Sequence, residues 1–161
     1  MRLSRADYTE MPWANGKGRT VELWREDGPQ GLRFRLSMAS VVENGDFSVF
    51  PGIDRVLTVL SGPGFGLVGD GIDLRCDLLV PAAFPGDVAL RAVGVTAPVE
   101  DFNVMTARDL PAPEVRVVQA GQYVPTQGGR LFVFDLASQG LKISEAPVTV
   151  LGPSLLVLTR F

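Results

Sequence analysis

Residues 34–62 read FRLSMASVVENGDFSVFPGIDRVLTVLSG, and the reading of this stretch decides the fold. Its start belongs to Leu32–Ser40, LRFRLSMAS. There Phe34, Leu36 and Met38 fall on one face, while Arg33, Arg35 and Ser37 fall on the other. A two-residue period predicts a half-buried strand. Its end, Arg55–Leu60 (RVLTVL), is apolar and β-branched, and SGPGFG stops it sharply. Between them, Asn44-Gly45 and Pro51-Gly52 mark two turns close together, which set the approach of Asp54-Arg55 to the second strand.

The same pattern continues outward. Gly66–Leu74 (GLVGDGIDL) predicts a hairpin around Gly69-Asp70-Gly71. Further strands are expected over Asp87–Val95, Val99–Thr106, Val115–Gln119, Arg130–Ala137 and Leu155–Arg160. The 18 glycines and 12 prolines interrupt almost every window long enough for a helix. One helical turn fits Leu3–Tyr8 with Ser4 as its cap. Many short strands at regular spacing predict an all-β barrel or sandwich. Arg55–Leu67 and Arg130–Ile143 share an outline of apolar run, turn and apolar run. A second apolar run follows each, Leu78–Val80 and Leu155–Leu158. This suggests two like halves joined near residues 108–114, around Pro111-Ala112-Pro113. Any two hairpins share such an outline, so repeat and coincidence both stand at this point.

Composition narrows the functions. The 161 residues carry a net charge of −3 with no long block of either sign. That gives no electrostatic basis for binding nucleic acid or an anionic membrane. No apolar stretch approaches the ~20 residues needed to span a bilayer. Residues 1–11 lack the apolar core of a signal peptide. A cytoplasmic protein is expected. One cysteine, Cys76, cannot form an internal disulfide. There is no histidine at all. This removes the usual general base and the commonest transition-metal ligand, so neither a metal nor another cofactor is expected. Catalysis would have to rest on Asp, Glu, Lys, Arg, Tyr or Cys76.

Four strings in order carry a family resemblance: PWANGKGRT (12–20), the 34–62 stretch, FPGD (84–87) and DFNVMTARD (101–109). Together they resemble the HutD/Ves family over roughly residues 8–110. The resemblance implies two fused cupin β-barrels. An N-terminal barrel would span 1–110 and carry the motifs, and a shorter C-terminal half, 111–161, would pack on it. That half could be incomplete or borrow strands from the N-terminal part. The resemblance also implies an accessory or regulatory role in histidine utilisation, with a stress-related branch, and no established catalysis. The chain departs from the family pattern at Ala14 and Lys17, and Ala107 precedes Arg108 where arginines are often paired. These departures bear on the ligand more than on the fold.

The glycine-flanked Lys17 does not make a phosphate loop, because a strand-like run rather than a helix follows it. The segment reads as a turn, with the Asn15 amide at the border of a cavity. Arg35 and Ser37 share a strand face, as do Asp101 and Asn103. If these faces point into a barrel they form a polar wall suited to a small carboxylate, with an arginine fork binding two oxygens. Arg55 is the second fork and Ser48 a neighbouring hydroxyl. Asn15, Arg35, Ser37, Ser48, Arg55 and Asn103 are therefore the candidate ligand-binding residues, with no catalytic set. For Arg35, a structural pair with Glu22 or Asp101, or exposure to solvent, remains open. Phe47, Phe50 and Met105 are expected in the core. The expected ligand is a small carboxylate such as urocanate or formylglutamate, as the family association implies. The alternatives are a metal-independent isomerase or lyase, and a protein-interaction or stress module. A homodimer would cover an exposed sheet edge.

Overall fold

A computed structural model of the chain describes residues 1–13 and 18–161. Seventeen strands follow one another: β1 (Arg2–Leu3), β2 (Thr9–Pro12), β3 (Arg19–Gly28), β4 (Gly31–Val41), β5 (Gly45–Asp46), β6 (Ile53–Ser61), β7 (Phe65–Gly69), β8 (Ile72–Cys76), β9 (Ala82–Pro85), β10 (Arg91–Val93), β11 (Val99–Ala107), β12 (Glu114–Val118), β13 (Gly121–Tyr123), β14 (Leu131–Asp135), β15 (Leu141–Ser144), β16 (Val148–Val150) and β17 (Ser154–Leu158). The expected helical turn is a 3₁₀ turn, Arg5–Asp7. Its cap is Ser4, whose backbone N–H and Oγ both donate to Asp7 Oδ2, at 2.8 and 2.9 Å. No helix among the described residues is long and apolar enough to cross a membrane.

The chain divides into two compact units, one of Thr9–Arg108 and one of Met1–Tyr8 with Asp109–Phe161. In the first, a six-stranded antiparallel sheet has the order β2-β3-β4-β11-β6-β9, and a four-stranded sheet has the order β5-β10-β7-β8. Leu57, Val59 and Val99 from the first sheet pack with Phe65, Leu67, Cys76 and Ala92 from the second, all fully or nearly fully buried. The β7–β8 hairpin turns on Asp70 and Gly71, whose φ values of +46° and +77° are the pair a type I′ turn requires.

Strand β4 corrects the expectation of a half-buried strand. It sits inside the six-stranded sheet, and both its faces are buried, with Phe34 and Leu36 at 0% exposure and Ser37 at 2%. Its polar face closes a cavity instead of meeting water. The strand expected over Asp87–Val95 is also shorter, Arg91–Val93. A turn at residues 86–88 takes up the start of that range, where Gly86 ties to the 50–53 segment: its N–H donates to Ile53 O and its carbonyl accepts from Phe50 N–H, both at 2.7 Å.

In the second unit a five-stranded sheet has the order β1-β15-β14-β17-β12, beside a two-stranded pair, β13-β16. Val118, Leu131, Val133, Val148, Val150, Leu156 and Leu158 form its core, with Tyr123 against it. The boundary between units falls between Arg108 and Asp109, and Met1–Tyr8 joins the later residues. The registered pairs Arg2↔Lys142 and Leu3↔Leu141 place β1 on the edge of β15. Beyond the ladder, Tyr8 Oη donates to Gln139 O at 2.8 Å.

Candidate functional site

Within the Thr9–Arg108 unit, a cavity of about 440 Å³ lies over the polar face of the six-stranded sheet. Antiparallel register builds its wall. Met105 of β11 stands between Arg35 of β4 and Arg55 of β6. One step along the same face, Asn103 stands between Ser37 and Leu57, and the next step sets Asp101 between Ala39 and Val59. Alternation thus delivers polar groups from three strands to one surface. The Asp46–Phe50 segment supplies Asp46, Phe47, Ser48 and Phe50 to the cavity, and Trp13 and Thr20 complete it. Trp13 Nε1 donates to Thr20 Oγ1 at 2.9 Å. A Cβ at Gly18 would lie 2.8 Å from the Trp13 ring, so glycine there lets the indole lie flat.

Three buried groups form a chain. Arg55 Nη2 donates to Asn103 Oδ1 at 2.7 Å, and Asn103 Nδ2 donates to Asp101 Oδ1 at 2.5 Å. The amide relays between cation and carboxylate and leaves donors on the guanidinium. Arg55 Nη1 has one long contact, 3.5 Å, to Ser48 O, and the buried Nε has no hydrogen-bond partner among the described residues. The rings of Phe47, Phe50 and Phe84 surround the guanidinium, with 5.4, 5.3 and 5.1 Å from Cζ to the centroids. Burial pulls the Arg55 pKa down to about 10; Asp101 opposes this shift and Arg35 adds to it. Burial also pushes the Asp101 carboxyl up to about 7, against the Arg55 charge and the Asn103 hydrogen bond. Arg35 has a carboxylate partner, since its Nε donates to Glu22 Oε2 at 2.7 Å. The structural pair left open for it therefore forms, and Arg35 still lines the cavity.

The FPGD turn, Phe84–Asp87, holds Arg55 from behind. A Cβ at Gly86 would sit 2.6 Å from Ile53 O and 3.3 Å from Arg55 Cδ. Outside the cavity, Arg108 bonds Asp54 and Asp87 together, at 2.8–3.0 Å. The Arg108 hydrogen bonds hold the Asp87 carboxyl down at about 2. Gly86→Ala is expected to cost about 1–3 kcal/mol through overpacking and to move Arg55. A thermal melt checks the first effect and ligand titration the second. An alanine variant with unchanged melting and binding would show that the turn does not position Arg55.

Arg35, Ser37, Ser48, Arg55 and Asn103 all line the cavity, whereas Asn15 lies outside the described residues. Phe47, Phe50 and Met105, expected in the core, all line the cavity; Met105 is also buried, at 3% exposure, and Phe47 packs on the buried cluster too. Asp101, expected on the polar wall but not among the candidate ligand-binding residues, belongs to the site. Its alternation with Asn103 was the available signal, but its link to Arg55 depends on cross-strand register. Cys76 is buried, and burial pushes its thiol up to about 12, as befits an inert core residue. Among the described residues no three or more Asp, Glu or Cys side chains are grouped to hold a metal ion.

The family model named HutD matches residues 5–156 of this chain. The chain belongs to the HutD family. The match runs well beyond the 8–110 stretch on which the resemblance first rested. An uncharacterised 21.2 kDa protein in the hutC 3′ region of Pseudomonas putida is 40% identical over 111 residues, covering 66% of this chain and 58% of that protein. Protein Ves of Cronobacter sakazakii is 38% identical over 117 residues, covering 69% of this chain and 64% of that protein. The matched stretch thus spans less than two thirds of the length of these curated relatives. The structure of HutD from Pseudomonas fluorescens SBW25, from a formate condition, superposes with a TM-score of 0.88 at 28% identity, covering 100% of this chain and 99% of that one. This HutD-family chain is all-β, built of antiparallel sheets in two compact units, and one of its relatives is named for the hutC 3′ region.

Proposed function

We propose that this HutD-family chain binds a small carboxylate metabolite in the cavity of the Thr9–Arg108 unit and so modulates histidine utilisation without catalysing a reaction. Urocanate and formylglutamate are the ligands the family association suggests. The observation that carries the reading is Arg55, a buried cation on the cavity wall whose Nη1 has only one long contact, 3.5 Å to Ser48 O. A buried guanidinium with free N–H groups favours a planar anion that accepts two of them. The volume of about 440 Å³ suits a small metabolite. Phe47, Phe50 and Met105 offer apolar contact for the ligand body, while Ser37 and Ser48 offer polar groups at its ends. The formate condition of the P. fluorescens HutD structure is in keeping with a carboxylate ligand.

Thermal-shift titration with formylglutamate, urocanate, glutamate, histidine and formate tests the reading. A ligand at one hundred times its Kd should stabilise the fold by about 2.7 kcal/mol, a rise of several degrees. No rise with any of the carboxylates at millimolar concentration would sink the proposal. Recovery of the bound compound chemically changed would instead favour a metal-independent isomerase or lyase, with Asp101 as the group able to exchange a proton near neutral pH.

A further inference from the structure

We propose that the cavity takes up its carboxylate together with a proton, drawn from water and received by Asp101 as the anion docks on Arg55. This rests on the carboxylate-binding reading and adds a regulatory property to it.

Asp101 is 1% exposed, and its link to positive charge runs through a single amide, Asn103, to Arg55. Arg55 is then shared: in the empty cavity it offsets the Asp101 charge, and with a ligand bound it must offset a second anion. Of the other charges nearby, Arg35 on β4 pairs through Nε with Glu22 on β3, which also lies 3.7 Å from Arg25, whereas Arg55 is the cation linked to Asp101. Asp46 on β5 and Glu100 beside Asp101 add only negative charge. Cys76 on β8 stays a neutral thiol. Two carboxylates on one buried guanidinium leave one in excess, and the buried one is the cheaper to neutralise. Burial already brings the Asp101 carboxyl to about 7, so a second anion would carry it higher. The proton bonds to an Asp101 carboxylate oxygen and offsets the one ligand carboxylate that docks on Arg55. The site would therefore hold its ligand tightly in mildly acidic conditions and release it as pH rises, which makes ligand capture responsive to pH.

Formylglutamate is the probe, because its carboxylates do not titrate between pH 6 and 8. With the wild-type protein, Kd should be level near pH 6 and rise about tenfold by pH 8. Calorimetry at pH 8 in Tris and in HEPES, whose ionisation enthalpies differ, should report close to one proton taken up per ligand. Asp101→Asn keeps the shape and the bond from Asn103 while fixing the group as neutral. It should bind at pH 8 as the wild type does at pH 6, with less than a twofold change across the range. Circular dichroism and a thermal melt establish that the variant is folded. If Asp101→Asn does not fold, the proton count on the wild-type protein decides by itself. Binding with no proton uptake and a flat pH profile would overturn this inference and leave the carboxylate reading intact. No binding of formylglutamate or formate at pH 6 would overturn both.

Discussion

Arg55→Met is expected to abolish carboxylate binding and leave the protein folded. Hydrogen bonds to a charged group contribute about 1.5–3 kcal/mol each, so losing two of them weakens binding by roughly 100-fold or more. The fold should survive because the guanidinium contributes little net stability where it stands. Its desolvation is severe enough to depress its pKa, and Nε has no hydrogen-bond partner among the described residues. Methionine fills similar space against Phe47, Phe50 and Phe84, and replacing a buried charge by an apolar side chain is often neutral or stabilising. Without the cation, the Asp101 carboxyl is driven further up and stays protonated at neutral pH, which limits the cost of leaving it behind. The measurement is a ligand titration beside a thermal melt. A folded Arg55→Met protein that binds formylglutamate with wild-type affinity would remove Arg55 from the site. Arg55→Lys should recover little, because an ammonium keeps the charge and loses the planar fork.

Phe65→Ala should have the largest effect on stability, about 3–5 kcal/mol, since it opens a cavity that its neighbours cannot fill. Phe65 is at 0% exposure and packs in the cluster that joins the two sheets of the Thr9–Arg108 unit. Its ring also stands 5.9 Å from Phe47, which in turn lies over the Arg55 guanidinium. Loss of the ring therefore loosens the cavity wall as well as the core. Both tryptophans, Trp13 and Trp24, lie in this unit, so their fluorescence reports its unfolding. The urea midpoint should fall by roughly 2 M for a typical slope. Leu151→Ala, at 89% exposure, serves as the control and should change stability by less than about 0.5 kcal/mol. A Phe65→Ala midpoint close to that control would mean that the sheets are not held by this cluster.

Much of this architecture was legible because its signals are local. The alternation in LRFRLSMAS, the paired turns before Asp54-Arg55 and the Gly69-Asp70-Gly71 hairpin each depend on a few neighbouring residues, and each appears close to where it was expected. Strand β10 is shorter than the pattern predicts because the chain turns at residues 86–88, where Gly86 bonds the distant 50–53 segment, and nothing local shows it. The attachment of β1 to β15 was beyond local reading for the same reason. Its partner lies at the other end of the chain, and two residues carry no pairing code. The polar faces were visible as faces, and Arg35 and Arg55 were recognised as forks. Which of them was spent and which was available was not visible. Arg35 meets the Glu22 carboxylate because β3 pairs with β4, whereas Arg55 meets no carboxylate directly and bonds the side-chain amide of a residue 48 positions away.

By itself, then, the sequence determined that the protein is all-β, that it lacks imidazole chemistry, that its motifs are those of the HutD family, and which residues alternate onto polar faces. Periodicity, composition and turn chemistry are properties of neighbouring residues, and they survive without a fold. The tertiary structure is what closes a cavity with the polar face of β4, joins Asp101 to Arg55 through Asn103, and sets aromatic rings around Arg55. These depend on register between strands distant in the chain and on the withdrawal of charges from water, and both arise only when the sheets close on each other.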